Sequence, residues 1–209
     1  MKTQMRFQKI LSIVSLVIAA LTFVYALYFL TGSMGEVPYY FNRQGTQGDL
    51  INADKFMSTS QDFVSTLVAL GITFIVLAVL IFLTSSHNRR KYYATNYIAM
   101  GLFVAFALAI SLYAFIMIAK VQDLFLNDIC WKTGTGVGGD HNVADQWIID
   151  HKLYRTETNF ILGYILFTVV IVNAIVCALS TVWKILLIRG EKKLLADSAP
   201  AEVTAEEVA

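Results

Sequence analysis

Four uninterrupted apolar runs decide what this chain can become. They are Ile10–Thr31, Phe63–Thr84, Tyr97–Ala119 and Phe160–Trp183, the last followed by apolar residues to Ile188. Asp, Glu, Arg and His are absent from all four, and the first lysine of the fourth stretch is Lys184. Each run exceeds the ~20 residues that a helix rising ~1.5 Å per residue needs to cross a ~30 Å hydrocarbon layer. No run carries a charged face, so none suits a helix lying flat in the membrane surface. Composition points the same way: 57% of residues are hydrophobic and 15% charged, against about 45–50% and about 25% in soluble domains. A single small core cannot cover that apolar surplus. The expected fold class is an all-α integral membrane protein built as a four-transmembrane-helix bundle.

The first run begins after Lys2, Arg6 and Lys9. It is too long for a signal-peptide core of about 7–15 residues and has no small-x-small cleavage site, so it reads as an uncleaved span. Short loops rich in Lys and Arg stay in the cytoplasm. The N-terminus, the brief loop with Arg89, Arg90 and Lys91, and the C-terminal flank with Lys184, Arg189, Lys192 and Lys193 are the basic segments. Both termini are therefore expected in the cytoplasm, with two exoplasmic loops.

The expected division is a cytoplasmic N-terminus (1–9), spans at 10–31, 62–84, 96–119 and 158–188, exoplasmic loops at 32–61 and 120–157, a basic cytoplasmic loop at 85–95, and a disordered cytoplasmic tail at 189–209. Tyr25, Tyr28, Tyr39 and Tyr40 fit an outer aromatic belt, and Tyr92, Tyr93, Tyr97 and Trp183 an inner one.

Inside lipid the hydrophobic effect gives helices little mutual attraction, so small and polar residues decide contacts. Ser12, Ser15, Ala19, Thr22 and Ala26 form one seam on the first span. Ser65, Ala69 and Thr73 repeat every four residues on the second, and Gly101, Ala105 and Ala109 on the third. The fourth carries Asn159, Gly163, Asn173, Cys177 and Ser180 on one stripe with Leu166 and Val170. These faces serve packing within the chain, or contact with another subunit. Asn173 is the most polar group deep in a span and reads as an interhelical hydrogen bond. Asn96 and Asn159 are expected near opposite interfaces, where water satisfies them.

In the first outer loop, Ser58 and Gln61 stand at capping-box spacing with Asp62 beside them, which suits a helix start. In the second, Lys120–Trp131 extends the third helix. A glycine-rich break follows, and Asn142 and Asp145 cap a short helix at about 143–154. Trp131, Trp147 and Cys130 are the interaction candidates there.

Tests for chemistry return little. The glycine run Gly134–Gly139 lacks the Lys-Ser/Thr ending of a phosphate loop and the order of a potassium filter. The stretch Asp140–Asp145 fails the calcium-loop pattern at Ala144. His87, His141 and His151 lie outside the spans, which argues against haem held within the bundle. No Cys-x-x-Cys occurs, and no catalytic set is recognisable. No catalytic, cofactor or metal residue is expected.

The first functional expectation is a non-enzymatic accessory or assembly subunit that binds another membrane protein. The alternative is a homo-oligomeric pore lined by Ser12–Ser15–Thr22 or Asn159–Asn173–Ser180. A lipid-handling enzyme is weaker still. The expected partners are membrane lipid and another membrane protein or a second copy, not nucleic acid. The expected location is a plasma membrane, with the bacterial inner membrane favoured.

Overall fold

The computed structural model describes residues 2–31, 50–51, 53–86, 93–128, 130–131 and 156–197. It contains four long helices: α1 (Lys2–Thr31), α2 (Ala53–Ser86), α3 (Tyr93–Asp123) and α4 (Thr156–Asp197). All four are long and apolar enough to span a membrane. The π-helical turn Leu124–Asp128 continues α3; the two-residue strand β1 (Leu50–Ile51) stands just before α2 and β2 (Cys130–Trp131) just after that turn.

The helices form an antiparallel ring in chain order, closed by α1 against α4. Side-chain pairs fix the direction at each seam. Phe29 meets Phe63 across α1 and α2, and Phe74 stacks on Phe103 across α2 and α3. Phe115 stacks on Tyr164 across α3 and α4, and Gln4 reaches Ser180 across α1 and α4. One end of the bundle thus holds the starts of α1 and α3 and the late turns of α4; here it is called the basic end. At the other end β1 pairs antiparallel with β2, Leu50 opposite Trp131 and Ile51 opposite Cys130.

Aromatic side chains fill the core. Phe29, Phe56, Phe63, Phe74, Phe103, Phe125, Phe160 and Phe167 are all fully buried. Their edge-to-face and stacked contacts run from Phe74–Phe103 to Phe56–Phe125 at the strand-pair end. Large aliphatic residues such as Ile10, Val17, Leu102, Leu112, Ile165 and Leu179 face outward. That inversion is what a lipid solvent permits, since exposed Leu and Ile are as comfortable there as buried ones.

Helix limits exceed the expected spans. α2 begins at Ala53, so Ser58 is no cap; its hydroxyl donates to the Lys55 carbonyl at 3.1 Å inside the helix. Phe56 is buried under Phe125, and that apolar anchor carries the helix outward past the capping signal. α3 and its π-helical turn extend beyond Ala119, because Val121, Leu124 and Phe125 still find core partners, but the extension expected to Trp131 stops at Asp128, and Cys130–Trp131 pairs with β1 as a strand instead. The expected short helix at about 143–154, with Trp147, lies outside the described residues, as do Tyr39, Tyr40 and Tyr92.

Candidate functional site

The small-residue faces divide into two kinds. On α1, Ser12, Ser15, Ala19, Thr22 and Ala26 are all fully buried. On α4, Asn159, Gly163, Val170, Asn173, Cys177 and Ser180 are buried, with Leu166 partly so. These two stripes face each other. The Asn173 amide donates to Ser15 Oγ at 3.0 Å, and Ser15 Oγ lies 3.5 Å from Cys177 Sγ. Tyr25 donates its hydroxyl proton to the Asn159 carbonyl at 3.0 Å.

Gly163 makes that last contact possible. A Cβ there would overlap the Tyr25 hydroxyl and come within 2.7 Å of Ile118 Cδ1. Tyr25 is accordingly a buried interhelical residue and not part of an aromatic belt, whereas Tyr28 does face outward. The polar stripes suggested for a shared pore are likewise buried within one chain, Ser15 and Asn173 joined across α1 and α4, and Ser12 and Thr22 bonded to carbonyls of their own helix. This removes them from any surface where a second subunit could share them.

The faces on α2 and α3 behave oppositely. Ser65, Ala69 and Thr73 are exposed, and so are Gly101, Ala105 and Ala109. The buried face of α2 is instead Phe63, Leu67, Phe74, Ala78 and Ile81, with Gly71 against Phe23 of α1. That of α3 is Phe103, Ala107, Ile110, Ala114 and Ile118. Large aromatic rings occupy the core side of both helices, which turns the small residues outward. Nothing in the chain approaches a Cβ built on Gly101.

The most polar arrangement lies at the basic end, and sequence reasoning missed it. Asn96 is only 1% exposed, not water-satisfied at an interface as expected. Its Oδ1 accepts from Gln8 Nε2 at 2.6 Å and from Lys184 Nζ at 2.7 Å. Its Nδ2 donates to Thr84 Oγ1 at 3.1 Å and Ser85 Oγ at 3.5 Å. One side chain on α3 therefore ties together α1, α2 and α4.

Lys184, expected in a solvated basic flank, is 6% exposed and lies 5.3 Å above the Tyr97 ring, within cation–π range. Gln4, one turn before Gln8, is buried and donates to the Ser180 carbonyl at 3.4 Å. A signal existed. Gln4 and Gln8 extend the α1 seam from Ser12 at intervals of four, and Lys184 extends the α4 stripe four residues beyond Ser180. Their polarity disguised them as flanking residues.

Asn159 is buried at the opposite end, its backbone carbonyl held by Tyr25. Cys130 and Trp131 form β2, paired with β1, and Cys177 is a buried free thiol. Among the described residues no group of His, Cys, Asp and Glu could hold a metal ion. The fold and these seams define a multi-pass helical membrane protein. No protein family, curated protein or solved structure matches the chain.

Proposed function

We propose that this chain is a non-enzymatic accessory or assembly subunit that binds another membrane protein through the outer faces of α2 and α3. The observation that carries the reading is the outward ridge Gly101–Ala105–Ala109, with Ser65–Ala69–Thr73 on the neighbouring helix. Small residues gain little from facing lipid, but they let a second helix bring its backbone close enough for extensive van der Waals contact. Residues of this kind on α1 and α4 are used in that way within the chain. Those on α2 and α3 are available for the same contact with a partner. The basic end supports an orientation with both termini in the cytoplasm of a plasma-type membrane, the bacterial inner membrane being favoured.

The test is purification of the full chain in mild detergent, with identification of co-eluting membrane proteins. A specific co-eluting protein is expected, and it is expected to be lost from a Gly101→Leu, Ala105→Leu variant whose thermal stability is unchanged. A solitary, monodisperse monomer from native membranes would overturn the proposal.

A further inference from the structure

We infer that the α1–α4 seam at the basic end binds the phosphate of an anionic phospholipid, with Lys184 supplying the charge and Ser180 and Gln4 the flanking donors. The inference is independent of the partner reading, which uses the opposite side of the bundle.

Three observations converge on this seam. Lys184 places a buried ammonium within a set of neutral amides and hydroxyls, at the level where α4 leaves its uncharged stretch. A point charge with three donors suits a phosphate oxygen. Next, Ser180 is 3% exposed, yet its hydroxyl has no hydrogen-bond partner among the described residues. This departs from local habit: Ser12, Thr22, Ser111, Thr168 and Thr181 each donate to a carbonyl three or four residues back. A buried hydroxyl with no partner is costly, so a ligand acceptor there is favoured. The Gln4 amide already lies at that residue, on its carbonyl.

The third observation is how the seam meets lipid. Phe7 of α1 and Trp183 of α4 form an edge-to-face pair, centroids 6.1 Å apart, and both remain about two-fifths exposed. Each stands three residues beyond a buried seam residue, Gln4 and Ser180 respectively, and the pair joins α1 to α4 with both rings open to the outside of the bundle. Behind each ring along its own helix run exposed aliphatics, Ile10 and Val14 on α1 and Val172 and Leu179 on α4. Set at headgroup level, such an aromatic pair beside exposed aliphatics accommodates acyl chains, and Lys184, one residue from Trp183 in the chain, supplies the charge for the headgroup. A free inorganic anion would use the charge but none of the aliphatics.

The experiment is native mass spectrometry of the full-length protein titrated with phosphatidylglycerol, phosphatidylcholine or inorganic phosphate. Preferential retention of phosphatidylglycerol is expected. Lys184→Met should weaken it about tenfold or more, the worth of one charge-assisted hydrogen bond. Ser180→Ala should weaken it less. Lys184→Arg and the exposed pair Lys192→Gln, Lys193→Gln should leave it largely intact.

Equal retention of the two lipids, or equal loss on removing the exposed lysines, would overturn the inference by showing general surface attraction. So would displacement of the lipid by millimolar inorganic phosphate. The unmodified chain gives a second readout that does not depend on the variants folding. Phosphatidylglycerol with brominated chains should quench the Trp183 share of the fluorescence, defined by Trp183→Phe, more than brominated phosphatidylcholine does. Equal quenching would also count against it.

Discussion

Gly163 is the position where one methyl group decides whether α1 and α4 can meet. Ala would drive a Cβ into Tyr25 and Ile118, and overpacking of this kind costs about 1–3 kcal/mol. Gly163→Ala is expected to lower the midpoint of detergent-induced unfolding by a corresponding amount, and Gly101→Ala, with open space around it, is expected to leave it unchanged. Equal effects at the two glycines would contradict the packing described.

Asn96 is the second decisive residue. Asn96→Leu removes the acceptor shared by Gln8 and Lys184, and charge-assisted hydrogen bonds carry about 1.5–3 kcal/mol. Asn173→Leu removes only the neutral bond to Ser15, for about 0.6–2 kcal/mol. The unfolding midpoints should rank Asn96→Leu below Asn173→Leu; the reverse order would mean that the node is not a structural tie.

Helices α1 and α4 are neighbours only because the ring closes between the first and last elements of the chain. That closure has a direct chemical test. Ser15 Oγ lies 3.5 Å from Cys177 Sγ, so a Ser15→Cys variant places two thiols close to the separation a disulfide needs. Mild oxidation is expected to produce a fast-migrating intrachain species on a non-reducing gel, absent from Ser15→Cys, Cys177→Ser. An open or re-ordered bundle would give only intermolecular dimers. The α2 start belongs to this scale too. Its capping signal at Ser58 is locally sound, yet Phe56 finds a core partner beyond it, and burial of an aromatic ring outweighs a cap worth about 1 kcal/mol.

The whole molecule is asymmetric along its axis. Aromatic rings crowd the strand-pair end, and a hydrogen-bonded polar node closes the basic end. By the positive-inside rule the proposed orientation puts the basic end in the cytoplasm, and labelling tests it. Single cysteines at Arg6 and Arg189 are expected to react with a membrane-impermeant thiol reagent only from the cytoplasmic side, and one at Lys55 only from the outside, in a Cys177→Ser, Cys130→Ser background. Labelling of Arg6→Cys and Lys55→Cys from the same side would overturn the orientation. Because fully buried phenylalanines fill the interior, the isolated chain in liposomes is expected to pass no small solutes.

The four spans were legible in the sequence because lipid demands long uncharged runs, and that demand is local: it is met residue by residue along one helix. The α1 and α4 seams were legible for a related reason, since small and polar groups repeating at helical spacing have no good place but an interface. On α2 and α3 the small-residue faces did not mark the buried side. A helix whose every side is apolar gives no periodic sign of which face is buried, and there the choice fell to ring-on-ring packing among Phe63, Phe74, Phe103 and Tyr113. The node at Asn96 was decided by tertiary structure as well. Lys184 and Gln8 are 176 positions apart in the chain and become partners of a single amide oxygen only when the ring closes, because a buried polar group takes its identity from what the fold brings to it and not from its own neighbours in sequence.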